Sequence, residues 1–212
     1  MEKPSLERIA KRHANVSRVI EKARKLWLKY NIGYSDPQKY WDTRWEANLS
    51  AEKATGKSAL EEFWLIKSLM EKYSCENILE IGCGRATLRN LPNYLGLDFS
   101  LEALKRSGLD KFIYADITKG IPLPDKSQDA ILSRYVLLHV PFTQIEKTVM
   151  EMGRVAKKAI ILKEPYGGNS KHCQAHCFLH NLPELFQKCF QGDLKFLDSI
   201  PVDLHNRHSQ IH

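Results

Sequence analysis

Asn77-Ile-Leu-Glu-Ile-Gly-Cys-Gly-Arg-Ala86 decides the fold. Ile78, Leu79 and Ile81 form the short apolar run of a strand covered on both faces, as in the centre of a parallel sheet. Gly82 and Gly84 then allow a sharp turn in which no Cβ stands between backbone and ligand. Two more apolar runs end in acids: Tyr94-Leu-Gly-Leu-Asp98 and Phe112-Ile-Tyr-Ala-Asp116. Outward from this centre, strands are expected near 77–81, 94–98, 111–116, 128–133 and 158–163, with helices near 85–90, 100–107 and 143–156. Such alternation makes βαβ units and a doubly wound, mostly parallel α/β sheet of the Rossmann-like kind. Capping boxes at Ser58-Ala-Leu-Glu61 and Thr143-Gln-Ile-Glu146 mark two helix starts. An apolar helix is read at Leu182 to Phe190, and the segments Leu194 to Ile200 and Arg207 to His212 suggest a terminal hairpin.

In an open parallel sheet, ligands lie beyond the carboxyl ends of the strands at the topological switch point. The glycine turn and Asp98 are expected to meet there. A carboxylate ending the second strand suits two ribose hydroxyls, and one after the third suits an exocyclic amine, so the set describes an adenosine site. The dinucleotide motif G-x-G-x-x-G fails at Thr87, and a P-loop fails because Ala51 replaces the first glycine of Ala51-Glu-Lys-Ala-Thr-Gly-Lys-Ser58.

With 212 residues, 43% hydrophobic and 27% charged, the chain is sized for one α/β core with a small appendage. No apolar stretch approaches the roughly 20 residues of a membrane span, and the N-terminal residues lack a signal-peptide core. Five scattered cysteines suit reduced thiols, so the expected location is the cytoplasm, without a membrane partner. Of the net charge of +7, residues 1–30 carry +6, from nine basic and three acidic side chains. The body is nearly neutral, which argues against a nucleic-acid-binding core. Leu6, Ile9, Val16, Ile20, Ala23, Trp27 and Tyr30 outline an amphipathic helix from about Ser5 to Tyr30. Its stripe is read as packing on the main domain, with an anionic partner such as RNA as the sharper alternative. Residues 1–57 are accordingly expected to form a helical cap or lid, and residues 58–212 the cofactor-binding domain.

Glu80-Ile-Gly-Cys-Gly84, Gly96-Leu-Asp-Phe-Ser100, Ala115-Asp-Ile117, Pro122-Leu-Pro-Asp125 and Asp129 to Val140, in this order, resemble the motifs of class I S-adenosylmethionine-dependent methyltransferases. The resemblance covers roughly residues 58 to 200 and implies a seven-stranded sheet whose C-terminal strand is antiparallel. It places Glu80, Gly82, Cys83 and Gly84 at the methionine part of S-adenosyl-L-methionine, and Asp98 at the ribose. Asp116 then meets the adenine, flanked by Phe99 and Ile117, with Ser100 beside them and Ser133, Arg134 and Tyr135 facing the sulfonium. Two departures stand out: Ala86 occupies the third glycine position, and 13 residues separate Gly84 from Asp98, so the first helix must be short. Tyr40-Trp-Asp-Thr-Arg-Trp45 resembles the segment with which several such enzymes close over the cofactor. Tyr40 and Trp41 would offer aromatic faces to the sulfonium, and Arg44 would pair the cofactor carboxylate. Simple packing of the two tryptophans is the alternative.

The acceptor is expected to be a small molecule, because Ser133-Arg-Tyr-Val136 departs from the Asn/Asp-Pro-Pro-Tyr pattern used on planar amines. A protein or RNA acceptor engaged through the basic helix is the alternative, and a non-catalytic cofactor-binding module a third reading. If the acceptor must lose a proton, Tyr135, Glu164, His172 and His176 are the candidates, with Tyr166 and Glu164 ending the fifth strand run. His172, His176 and His180 at helical spacing would share one face and, with Cys173 or Cys177, hold zinc. That run leads into an apolar helix, so a substrate-pocket role for one or two of these histidines is read ahead of zinc, beside a structural or surface role, and no metal is expected. His139, in Val-Leu-Leu-His-Val, reads as a core histidine.

Overall fold

The computed structural model of the protein describes residues 36–46, 56–165, 171–174 and 176–191. The expected helix over residues 5–30, Tyr166 and the C-terminal hairpin lie outside them. A short helix α1 (Pro37–Glu46) precedes α2 (Gly56–Lys72), which feeds β1 (Ile78–Ile81). There follow β2 (Tyr94–Asp98), α3 (Leu101–Ser107), β3 (Phe112–Tyr114), β4 (Gln128–Arg134), a 3₁₀ turn at Leu137–His139, α4 (Ile145–Val155) and β5 (Ala156–Lys163). A hairpin of β6 (Lys171–Gln174) and β7 (Cys177–Leu179) leads to α5 (Leu182–Phe190).

The five main strands are all parallel in the order β3-β2-β1-β4-β5, so the order reverses at β1. Period-two alternation sorts their side chains. Ile78 of β1 and Ala130 and Leu132 of β4 face Ile66 and Met70 of α2, whereas Leu79, Ile81 and Ile131 face Val149 and Met152 of α4 and Phe186 of α5. Covering both faces with helices is what lets β1 be wholly buried. Among the described residues, the antiparallel pairing is that of β6 with β7, which form a separate two-stranded sheet.

Three local expectations differ from the structure. Residues 84–90 form successive turns, not a helix: Ala86 N donates to Cys83 O and Arg89 N to Ala86 O, while Ala86 sits at φ +50°. A left-handed residue interrupts helical propagation, and β2 begins too soon to allow a restart. The Thr143 capping box does not form, since the cap position is Gln144 with no side-chain hydrogen bond. Similarly, α2 starts at Gly56, which puts Ser58 inside its first turn.

Candidate active site

The Gly82-Cys83-Gly84 turn leaves the carboxyl end of β1 at the reversal of strand order, with φ of +60° at Gly82 and +53° at Gly84. A Cβ at Gly82 would stand 2.3 Å from Val136 Cγ2, so this glycine is required by the chain leaving β4 as well as by its own backbone. Asp98 closes β2 and is almost fully buried. One of its oxygens accepts from Gly84 N at 2.9 Å and the other from Ser100 N at 2.8 Å. Asp98 thereby ties the glycine turn to the start of α3. Asp116 Oδ1 accepts from Thr118 N and Oγ1, which holds the loop after β3, and Lys119 pairs with Oδ2 at 3.3 Å. Ile117 is buried and Phe99 half-buried.

α1 lies across this edge. Asp42 accepts from Ser100 Oγ at 2.5 Å, Gln38 donates to the Tyr114 hydroxyl, and Arg85 of the glycine turn stacks over Trp45 at 5.6 Å. Further along, Trp41 meets His139 edge-on at 4.8 Å and the Tyr40 hydroxyl lies 3.3 Å from His176 Nε2. Arg44 donates to that hydroxyl at 3.3 Å and lies 5.4 and 5.6 Å from the Tyr40 and Trp41 rings. The helix therefore bridges the ends of β3, β2, β1 and β4. Asp42 was not singled out in the sequence, although it stands within the Tyr40–Trp45 motif.

Several residues expected to face a ligand have side chains turned into the fold. Glu80 points to the α2 face, where it accepts from the Tyr94 hydroxyl and pairs with Arg134 at 2.5 Å. Arg134 also reaches Glu62 at 3.2 Å and the Thr87 hydroxyl at 3.0 Å. Lys163 joins Glu62 at 2.8 Å, so two acids and two bases form one network between α2 and the sheet. Glu80 and Arg134 meet because both belong to the set of alternate residues facing α2. Cys83 is buried, its Sγ packed on Gly96, where an added Cβ would lie 2.8 Å away. Ser100 is the N-cap of α3, accepting from Ala103 N at 3.2 Å. Ser133 Oγ donates to Glu164 Oε1 at 2.6 Å.

Glu164, after β5, takes a second bond on Oε1 from Val136 N at 2.9 Å, whereas Oε2 is buried with no donor in bonding geometry. Burial pushes its carboxyl up to about 7, against the bonds from Ser133 and the Val136 amide. Between these groups Tyr135 is held at φ +56°, its N–H donating to Lys163 O at 3.0 Å and its side chain 47% exposed. A non-glycine residue in this region is strained by roughly 1–3 kcal/mol, and the bonds around Glu164 hold it there.

The histidines do not share a helix face. Their run forms the β6–β7 hairpin, in which His172 pairs with Phe178. His180 is buried and its Nε2 lies 2.9 Å from Val140 O. His139, read as a satisfied core histidine, is largely desolvated, its Nδ1 lies 2.7 Å from His176 O, and its ring stacks on that of His176 with centroids 5.5 Å apart. Burial lowers its pKa to about 4 and also lowers that of His176, with the Arg44 charge adding to both. Both rings are neutral near pH 7.

Residues 79–162 match the family model of the methyltransferase domain. The matched segment runs from β1 into β5 and takes in the glycine turn, Asp98 and Asp116. Solved structures similar to this chain include the YcgJ protein of Bacillus subtilis, with 24% identity over 50% of this chain and 51% of that one and a TM-score of 0.43. A SAM-dependent methyltransferase from Archaeoglobus fulgidus shows 20% identity over 50% and 55%, with a TM-score of 0.40. The [4+2]-cyclase SpnF shows 18% over 60% and 57%, with a TM-score of 0.47. The chain spans about half the length of these structures. No curated protein matches it. Among the described residues, no helix is long and apolar enough to cross a membrane.

Proposed function

We propose that this protein transfers the methyl group of S-adenosyl-L-methionine, in line, to a small-molecule acceptor in the cytoplasm. The observation that carries this reading is the glycine turn at the strand-order reversal, tied to Asp98 and roofed by α1, within the matched methyltransferase segment. Residues 1–57 would serve as the cap of a cofactor-binding unit formed by residues 58–212.

The available groups fit an adenosine-bearing donor. Asp98 would accept from the ribose hydroxyls and Asp116 from the adenine amine, with Phe99 and Ile117 against the ring faces. Backbone at Gly82 to Gly84 would run beside the methionine part, with Arg44 toward its carboxylate. Glu80, Cys83, Ser100, Ser133 and Arg134 would act from behind, by holding the backbone in place. When bound, the donor supplies a methyl group on a positively charged sulfur, next to which the aromatic faces of Tyr40 and Trp41 are favourable. Alignment of acceptor and methyl group would supply most of the acceleration, for which effective molarities reach roughly 10⁵ M or more. A neutral His176 is suited to take a proton from the acceptor, Tyr40 holding its ring; Tyr135 lines the opening and Glu164 fixes the turn that presents it.

Calorimetric titration with S-adenosylmethionine and S-adenosylhomocysteine tests this. Binding of both by the wild-type chain, weakened at least tenfold in Asp98→Asn, is expected. Absence of binding by either, or equal binding by the variant, would refute the reading.

A further inference from the structure

Among the described residues, His139, His176 and Cys177 each offer a ligand atom, and the three atoms lie within 4.8 Å of one another. They come from two separate parts of the fold: His139 ends the 3₁₀ turn after β4, while His176 is the turn residue before β7 and Cys177 opens that strand. All three are half-buried. We propose that this trio binds a zinc ion with an open fourth position, a site that does not depend on the methyl-transfer reading and that, when filled, takes His176 out of the role of base and leaves proton removal to a hydroxide in the fourth position.

The donor set suits the metal. Two imidazole nitrogens and one thiolate are ligands that zinc accepts in a tetrahedron, and three protein ligands are the pattern of zinc sites that keep one position for water or substrate. The surroundings already fix the tautomer of His139. His139 Nδ1 lies 2.7 Å from the His176 carbonyl, and a carbonyl can only accept, so Nδ1 carries the proton and Nε2 the lone pair. A backbone acceptor on the far nitrogen is the usual means of fixing a metal-binding imidazole. The Trp41 edge at 4.8 Å supports the His139 ring, whereas the His139–His176 stack at 18° must open on metal binding, because an ion lies in the plane of each imidazole that holds it. Zn–N and Zn–S bonds of about 2.0 and 2.3 Å put tetrahedral donors roughly 3.5 Å apart, so closing the site needs a contraction of roughly 1 Å.

The fourth position has a chemical preference. Zinc with one thiolate leaves a single positive charge, and Arg44 adds another within reach of Tyr40. An anion is therefore favoured there: hydroxide, or a thiolate or alkoxide of a bound molecule. The Tyr40 hydroxyl, 3.3 Å from His176 Nε2, stands where it can hydrogen-bond such a ligand. This arrangement was obscured in the sequence because His139 lies 37 residues from His176.

Cobalt(II) titrated into the full chain is the test. One equivalent should produce the visible d–d bands of a tetrahedral site and a thiolate-to-cobalt charge-transfer band, and zinc should erase both. Cys177→Ser should abolish the charge-transfer band and weaken binding roughly 100-fold. His139→Gln should also weaken it, and Cys189→Ser, a thiol on α5, should change nothing. Circular dichroism establishes that each variant is folded. Absence of the bands in the wild-type protein, or bands that survive Cys177→Ser, would overturn the proposal; the wild-type result decides even if a variant fails to fold.

Discussion

Replacing Glu164 by Gln isolates one buried carboxyl whose energetics can be worked out from its surroundings. Oε1 is bonded to Ser133 Oγ and Val136 N, Oε2 is buried without a donor in bonding geometry, and the pKa is pushed up to about 7 from 4.5. An acid with a raised folded pKa is stabilised by folding only while protonated, so the contribution is fully present below about pH 4.5 and is lost as pH rises through 7. At 1.36 kcal/mol per pKa unit, the 2.5-unit difference amounts to about 3 kcal/mol. Glu164→Gln keeps an oxygen for the Ser133 and Val136 donors but cannot ionise. Any penalty for burying its amide is independent of pH and cancels in the comparison. Urea unfolding of both proteins from pH 4.5 to 8, followed by tryptophan fluorescence, should show the variant gaining about 3 kcal/mol on the wild type over this range. For a chain of this length, that corresponds to a relative melting shift of roughly 6–12 °C. Stability difference curves that stay flat across the range would refute the reasoning.

Three other perturbations have calculable outcomes. Gly82→Ala combines a left-handed backbone costing about 1–2 kcal/mol with a contact at 2.3 Å to Val136, for a total of about 2–4 kcal/mol in thermal unfolding; adding Val136→Ala should recover only the steric part. Arg134→Met strands the buried Glu80 and should cost about 3–5 kcal/mol, with Glu80→Gln in the same chain restoring much of it in urea denaturation. Gly153→Ala should destabilise despite alanine's better helix propensity, because the new methyl would meet Phe190 Cε1 at 2.1 Å; a Phe190→Leu background should reverse the sign in a melting experiment.

What was legible in the sequence was governed by short-range rules. Buried parallel strands write themselves as continuous apolar runs, so β1, β2 and β4 were readable to within a residue, as was the turn at Gly82 and Gly84. Less legible was which way each polar residue faces. Glu80 looked like part of a ligand motif, yet its place in the strand alternation turns it toward α2, where Arg134 and Glu62 wait from distant parts of the chain. The same limit hid the histidine pairing, since helical spacing at 172, 176 and 180 competes with strand pairing that only a hairpin partner can decide. Residues 84–90 failed as a helix for a local reason, the left-handed Ala86 and the short span before β2.

The central claim is that a methyl donor lies beneath α1, between the glycine turn and the ends of β2 and β3. A crystal structure of the full chain with S-adenosylhomocysteine tests it most directly. The account predicts ribose hydroxyls on Asp98, adenine between Phe99 and Ile117 with its amine toward Asp116, and the sulfur beside Tyr40 and Trp41. A ligand bound elsewhere, or one whose ribose does not touch Asp98, would contradict it.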